Sequence, residues 1–139
     1  MTNHEYFLRL FLRIIGSTSL LAVFAVVMPY SWMNAIHQWL GLGQLPAEPI
    51  VGYLARSTSA FYAFLGGLLW TLSFDPRRHR IVLCYLGVAF ICFGLTLFGI
   101  DWLEGLPRFW RLGEGPFVTA FGIVILRLSL RLQQNSESP

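Results

Sequence analysis

The chain has 139 residues, of which 55% are hydrophobic and only 12% are charged, and its mean hydropathy is +0.60. A soluble domain carries about 25% charged residues, so this composition excludes a soluble globular enzyme, a disordered chain and a nucleic-acid-binding module. The net charge of +3 comes from ten arginines that stand in short groups beside apolar runs. This pattern is typical of a small integral membrane protein, and we expect one transmembrane domain over residues 1–139.

Four apolar segments are long enough to cross a hydrocarbon core of about 30 Å, which needs about 20 helical residues. They lie at about residues 7–28, 50–74, 81–100 and 116–130. Pro29 is expected to end the first segment, and Pro116 is expected to lie in the first turn of the fourth. The predicted fold is therefore all-α, a polytopic membrane protein with four transmembrane helices in an up-down bundle.

Two connections between these spans are rich in aromatic residues. Residues 31–42 place apolar side chains on one helical face, which predicts an interfacial helix lying in the membrane plane. Residues 101–115 mix tryptophans with charges and with turn-forming glycines and prolines. Both segments fit an aromatic belt at headgroup level, and a lipid or quinone headgroup site beneath them is the alternative. Residues 133–139 are expected to form a flexible tail.

The arginines are unevenly divided between the two sides of the membrane that four spans define. Seven lie on the side of the chain termini, at Arg9, Arg13, Arg77, Arg78, Arg80, Arg127 and Arg131. Three lie on the other side, at Arg56, Arg108 and Arg111. Because basic residues accumulate on the cytoplasmic side, we expect both termini to be cytoplasmic, in the inner membrane of a bacterium. The basic turn formed by Arg77, Arg78 and Arg80 also suits anionic lipid headgroups, although its role in orientation is a sufficient explanation.

Small residues recur at helical spacing in the predicted spans, and such residues let membrane helices approach closely. In the second span they are four residues apart, at Ala55, Ser59, Ala63, Gly67 and Thr71. In the third and fourth spans they are seven apart, and we expect helix packing at Gly87, Gly94 and Gly122. The stripe on the second span either seals helices within the chain or forms an interface with another chain.

Arg56 is the residue that stands out as a candidate for binding, because it lies inside the second predicted span on the side of the small residues. An arginine at membrane depth is costly and normally has a partner. The sequence predicts a ligand or ion-pair site made from Arg56, Ser57, Ser59, Tyr62, Asp101 and Glu114. The alternative is that Arg56 forms a purely structural ion pair or extends outward to water.

Catalytic and metal-binding motifs do not occur in the sequence, so we predict no catalytic residue, no metal site and no cofactor. Cys84 and Cys92 lie eight residues apart in one apolar run, which as a helix separates them by about 12 Å and prevents a mutual disulfide. No carboxylate lies in the middle of a predicted span, which argues against proton-coupled transport.

The layout of four spans, with an external aromatic segment after the first helix and a short basic turn between the second and third, resembles DoxX-type bacterial membrane proteins. No functional residue follows from this resemblance. From the residues we expect a non-catalytic accessory, scaffold or assembly subunit that associates with membrane lipids and with further copies or a larger membrane complex. The alternative is binding or transport of a lipid, a quinone or a small anion near Arg56.

Overall fold

The structure is a computed structural model that describes residues 3–134, with the side chains of residues 133 and 134 left out. All of its regular elements in this range are helices. They are α1 (Asn3–Leu20), α2 (Val23–Val27), α3 (Tyr30–Trp39), α4 (Pro49–Phe74), α5 (Arg80–Leu103) and α6 (Arg108–Gln134). The predicted tail is helical at residues 133 and 134, and residues 135–139 lie outside the described part.

The chain divides into two compact units, which are described separately here. The terminal unit comprises residues 3–10 and 72–134, and the central unit comprises Phe11–Thr71. The central unit contains most of α1, the short helices α2 and α3, and α4 up to Thr71. The terminal unit contains the start of α1, the end of α4, and all of α5 and α6.

Three stretches of the described chain are long and apolar enough to cross a membrane, namely Asn3–Val27, Arg80–Leu103 and Arg108–Leu132. In their most apolar windows, only 17%, 22% and 28% of the residues are buried within the protein. Exposed apolar surface of this extent is unfavourable in water and is stable in contact with lipid. The structure therefore supports an all-helical membrane protein.

Helix α4 coincides with the second predicted span, and its 26 residues are enough to cross the hydrocarbon core. It is nevertheless not among the three stretches that qualify by composition. Arg56 and the run of hydroxyl residues that follows it lower the hydropathy of its first half. The count of four spans therefore stays a prediction.

The first predicted span, residues 7–28, overlaps the candidate membrane span Asn3–Val27, and its helix has a turn at residues 21 and 22. Helix α1 ends at Leu20, and α2 begins three residues later at Val23. Between them the backbone tightens, because Ala22 N–H donates to the Ser19 carbonyl and Phe24 N–H donates to the Leu21 carbonyl. Such three-residue hydrogen bonds are typical of a 3₁₀ turn inside a helix.

Helix α3 and the loop after it form a local module in the central unit. The helix overlaps the segment over residues 31–42 that the sequence predicts to be interfacial. Gly41 and Gly43 have φ values of 75° and 84°, which turn the chain back after the helix. The Tyr30 hydroxyl donates to the Leu45 carbonyl at 2.8 Å, and Leu45 N–H donates to Asn34 Oδ1 at 2.8 Å. These bonds fix the loop against α3.

Helices α5 and α6 run antiparallel in the terminal unit and touch through glycines. A Cβ placed on Gly87 would lie 2.8 Å from the Leu126 Cβ, and one on Gly115 would lie 2.7 Å from the Phe98 Cβ. The two contacts lie eleven residues apart on each helix, from Gly87 to Phe98 on α5 and from Leu126 back to Gly115 on α6. This equal spacing in opposite directions is that of two antiparallel helices in continuous contact. The backbones therefore approach as closely as small residues allow.

Helix α6 begins at Arg108, eight residues before the position that the sequence suggested, and Pro116 lies inside it. The Pro107 carbonyl accepts hydrogen bonds from Trp110 N–H at 3.0 Å and Arg111 N–H at 3.1 Å, which starts the helix. The expected aromatic connection over residues 101–115 is therefore mostly helical. Only residues 104–107 separate α5 from α6, and Gly105 makes the turn with a φ of 68°.

Candidate functional site

Arg56 binds backbone carbonyls in the central unit. Its Nη1 donates to the Val26 carbonyl at 2.7 Å, and its Nη2 donates to the Met28 carbonyl at 3.0 Å. Both carbonyls belong to the end of α2, where a helix leaves its last acceptors without backbone donors and carries a partial negative charge. Pro29, which follows, has no N–H to offer. Arg56 therefore neutralises the end of α2.

The other residues of the predicted Arg56 site in the central unit differ in exposure. Ser57 is exposed, and its hydroxyl donates to the carbonyl of Leu54 in the same helix at 3.2 Å. Ser59 and Tyr62 are half-buried. A hydroxyl that binds its own helix backbone is satisfied and does not need an external partner.

The two predicted acidic members of the site belong to the terminal unit, where each has its own surroundings. Asp101 is 3% exposed, at the end of the seam that α5 forms with α6, and its Oδ2 has no hydrogen-bond partner in the described structure. Glu114 is half-buried and accepts a hydrogen bond from the indole Nε1 of Trp110. Asp101 continues the seven-residue spacing of Gly87 and Gly94, which explains its burial.

Glu5 was missed by sequence reasoning, although it lies in the most strongly charged contact of the terminal unit. It is 6% exposed, and its Oε1 accepts from Arg9 Nη2 at 3.0 Å. Its Oε2 accepts from Arg77 Nε at 2.8 Å. The four-residue spacing from Glu5 to Arg9 was a usable signal, but nothing in the sequence pointed to Arg77. One residue of the predicted basic turn thus has a structural partner.

The other residues of the basic turn sit at the start of α5. Arg78 is exposed, and its backbone N–H donates to the side chain of Asp75 at 3.2 Å. Arg80 is half-buried, with its Nε buried and without a hydrogen-bond partner in the described structure. The Asp75 side chain thus accepts from the backbone three residues on, as an N-cap aspartate does.

The small residues of α4 lie on a face that the protein leaves partly open. This small-residue face of α4 consists of Ala55, Ser59, Ala63, Gly67 and Thr71, which are half-buried except for the exposed Thr71. A Cβ on Gly67 would meet no atom within 4 Å. The close contact is made instead by the neighbouring Gly66, where a Cβ would lie 2.6 Å from the Gly16 carbonyl oxygen. Among the described residues, Gly67 therefore makes no close helix contact of the kind that Gly66 makes.

Small residues of the terminal unit lie in the contact between α5 and α6. A Cβ on Gly94 would lie 2.5 Å from Thr119 N, and one on Gly122 would lie 2.5 Å from the Gly87 carbonyl oxygen. Any larger side chain at these glycines would push the helices apart. The seven-residue spacing of the sequence thus coincides with a contact face in the structure.

A groove opens along one side of the α5–α6 pair, between residues 95–98 of α5 and residues 116–123 of α6. Its volume is about 350 Å³, and its lining is almost entirely apolar: Leu95, Phe98, Pro116, Thr119, Ala120 and Ile123. Phe98 contacts Trp102 with ring centroids 6.3 Å apart, and the Arg111 guanidinium lies 4.7 Å from the Trp102 ring centroid. Phe98 of the groove thus contacts Trp102, and Trp102 contacts the cation of Arg111.

No group of three or more His, Cys, Asp or Glu residues that could hold a metal ion occurs among residues 3–134. Cys84 and Cys92 are free thiols, half-buried and exposed respectively.

Comparison with known proteins finds no matching family model, no matching curated protein and no matching solved structure. The resemblance in layout to DoxX-type proteins stays a prediction.

Proposed function

We propose that the protein is a non-catalytic accessory, scaffold or assembly subunit of a membrane complex, and that it binds its partner through the small-residue face of α4. The partner is a further copy of the chain or a larger unlike membrane protein. The observation that carries this proposal is the open space at Gly67 beside a close intramolecular contact at Gly66. Gly66 packs against Gly16 in the central unit, whereas a Cβ on the adjacent Gly67 would have no described atom within 4 Å.

An uncovered small-residue face suits helix association in lipid. Between membrane helices the hydrophobic drive is weak, so association depends on close backbone approach and van der Waals packing. Along this face, each four-residue step turns by about 40°, so the small side chains wind slowly round α4 and suit a partner helix that crosses at an angle. The Thr71 hydroxyl donates to the Gly67 carbonyl at 2.9 Å, so it presents its methyl group without an unpaired donor. The face is therefore able to pack against another apolar helix.

The alternative function, binding of a lipid, quinone or anion at Arg56, has less support. Two of the nitrogens of Arg56 donate to the carbonyls at the end of α2, at 2.7 and 3.0 Å. These bonds account for the cost of holding an arginine at this depth without any ligand. The geometry thus favours the structural interpretation of Arg56.

The proposal includes a membrane layout with four spans and both chain termini in the cytoplasm of a bacterium. Its support is the length of α4, at 26 residues, together with the uneven division of the arginines. In this layout α3 lies in the interface at the opposite side of the membrane. Trp32, Trp39 and Trp102, which are 65%, 84% and 60% exposed, then lie at headgroup level.

The substitution Gly67→Leu tests the proposed interface. Because Gly67 has open space around it, the variant is expected to fold and insert as the wild type does. The leucine would prevent close approach of a partner helix, so the assembly is expected to dissociate to a single chain. Native mass spectrometry of a mild detergent extract measures the mass of the assembly directly.

The matched control is Gly99→Leu, at an exposed glycine of α5 that also has no atom within 4 Å of a Cβ. This control should keep the wild-type assembly, because it adds the same side chain outside the proposed interface. The proposal fails if Gly67→Leu keeps the wild-type mass. It also fails if the wild-type protein leaves the membrane as a single chain.

A further inference from the structure

The apolar groove beside the α5–α6 seam has the form of a site for a hydrocarbon chain. Small α6 residues, Thr119 and Ala120, face the larger side chains of Leu95 and Phe98, and the difference in size leaves a channel of about 350 Å³. The Thr119 hydroxyl donates to the Gly115 carbonyl at 2.9 Å, so its polarity is satisfied inside α6. The groove therefore offers no polar group to a ligand along its length.

A cation, the guanidinium of Arg111, is linked to this groove through two aromatic rings. Arg111 lies five residues before Pro116 on α6, which is about 7.5 Å of helix rise. Its guanidinium rests on Trp102, whose ring contacts Phe98 of the groove. Arg111 has no acidic partner within residues 3–132, and its Nε is buried without a hydrogen-bond partner. The guanidinium rests on an aromatic ring, and because its Nε is buried, the two Nη groups are the donors open to a ligand.

We propose that this groove binds one diacyl glycerophospholipid, with an acyl chain along the groove and the phosphodiester against Arg111. The spacing suits this ligand, because the apolar part begins about one and a half helical turns from the cation. A guanidinium offers a fork of N–H donors that matches two phosphate oxygens. This lipid site is separate from the small-residue face of α4 and does not depend on the proposed function.

The phosphodiester, and not a net negative charge, is the feature that this site recognises. Asp101 and Glu104 are close to Trp102 in the sequence, so the local charge gives no advantage to an anionic headgroup over a zwitterionic one. Phosphatidylethanolamine and phosphatidylglycerol should therefore bind with similar affinity. Diacylglycerol, which has the same acyl chains and no phosphate, should bind roughly tenfold more weakly.

Titration of the full chain in detergent micelles with these three lipids, followed by native mass spectrometry, tests the site. Arg111→Gln should weaken both phospholipids roughly tenfold, to the level of diacylglycerol, and leave diacylglycerol unchanged. The control Arg108→Gln removes an exposed arginine one turn earlier on α6 and should leave binding as in the wild type.

A second pair of variants tests the groove itself. Ala120→Phe fills the channel and should abolish the bound lipid, whereas Val124→Phe adds bulk to α6 at an exposed position outside the lining and should not. The proposal is overturned if Arg111→Gln binds phospholipid as the wild type does, or if Arg108→Gln weakens it equally. Equal binding of diacylglycerol and phospholipid by the wild type would also overturn it.

Discussion

The guanidinium of Arg56 and the carboxylate of Glu5 show how this chain holds charged side chains beside apolar helices. Arg56 donates to two carbonyls at the end of α2, and Glu5 accepts from two arginines, Arg9 and Arg77. A buried or half-buried charge is tolerated where such bonds replace water. Arg56 is thus held by backbone carbonyls at a helix end, and Glu5 is held by two arginine side chains.

Arg56→Ala is expected to destabilise the protein by about 1.5–3 kcal/mol, because two carbonyls at the end of α2 would lose a charged donor. The measurement is the free energy of unfolding in detergent, or the melting temperature where unfolding is irreversible. The control Arg78→Ala removes an exposed guanidinium and should change stability little. Unchanged stability of Arg56→Ala, together with loss of a co-purified lipid or quinone, would instead support a ligand site.

The sequence predicted that Arg56 needs a partner, but it did not predict which groups Arg56 binds. Arg56 stood out because of its depth in a predicted helix, and that signal needs no tertiary information. Its acceptors are the carbonyls of Val26 and Met28 at the end of α2, in a region that the sequence predicts as one apolar helix. A backbone carbonyl has no residue type, so composition and spacing cannot reveal it as a partner.

Helix packing in the terminal unit depends on glycines that the sequence did reveal. The seven-residue spacing of Gly87 and Gly94 matches the face that α5 turns toward α6. The glycines of α6 were harder to interpret. Gly113 and Gly115 are turn-forming residues by type, yet both lie within α6. Gly115 is tolerated there because a side chain would strike the carbonyl oxygen of Gly94 at 2.8 Å.

Gly94→Ala is expected to destabilise the α5–α6 contact by about 1–3 kcal/mol, since the added methyl group overlaps Thr119. Gly113→Ala is the matched control, because a Cβ there meets no atom within 4 Å. This control should be neutral or slightly stabilising, as alanine favours a helix over glycine. Unfolding in detergent measures both, and equal stability of the two variants would contradict the seam.

The pair Gly66 and Gly67 marks the limit of what helical periodicity resolves. The four-residue stripe of small residues predicted Gly67 as a packing position, and the structure places Gly66 in the contact with Gly16. Two adjacent glycines differ by only about 100° around the helix, so the sequence cannot choose between them. The position of the neighbouring helix determines which glycine is buried. Here α1 packs against Gly66, and a Cβ on Gly67 would meet no described atom within 4 Å.

For the molecule as a whole, the proposed assembly and the proposed membrane layout both depend on whether α4 crosses the membrane. The other long helices qualify by their own hydropathy, and α4 does not. If α4 spans the membrane, its small-residue face lies in lipid and can bind another membrane helix. If α4 does not, that face has no membrane partner and the orientation of the termini changes.

Cysteine labelling on the two sides of α4 tests this most directly. In a variant with Cys84 and Cys92 replaced by serine, single cysteines are placed in exposed loops before and after α4, as Gln44→Cys and Arg78→Cys. A membrane-impermeant maleimide added to intact cells should label Gln44→Cys at once. It should label Arg78→Cys only after the membrane is permeabilised, which places the two loops on opposite sides. Equal labelling of both variants in intact cells, or of neither, would contradict a fourth span and the assembly face built on it.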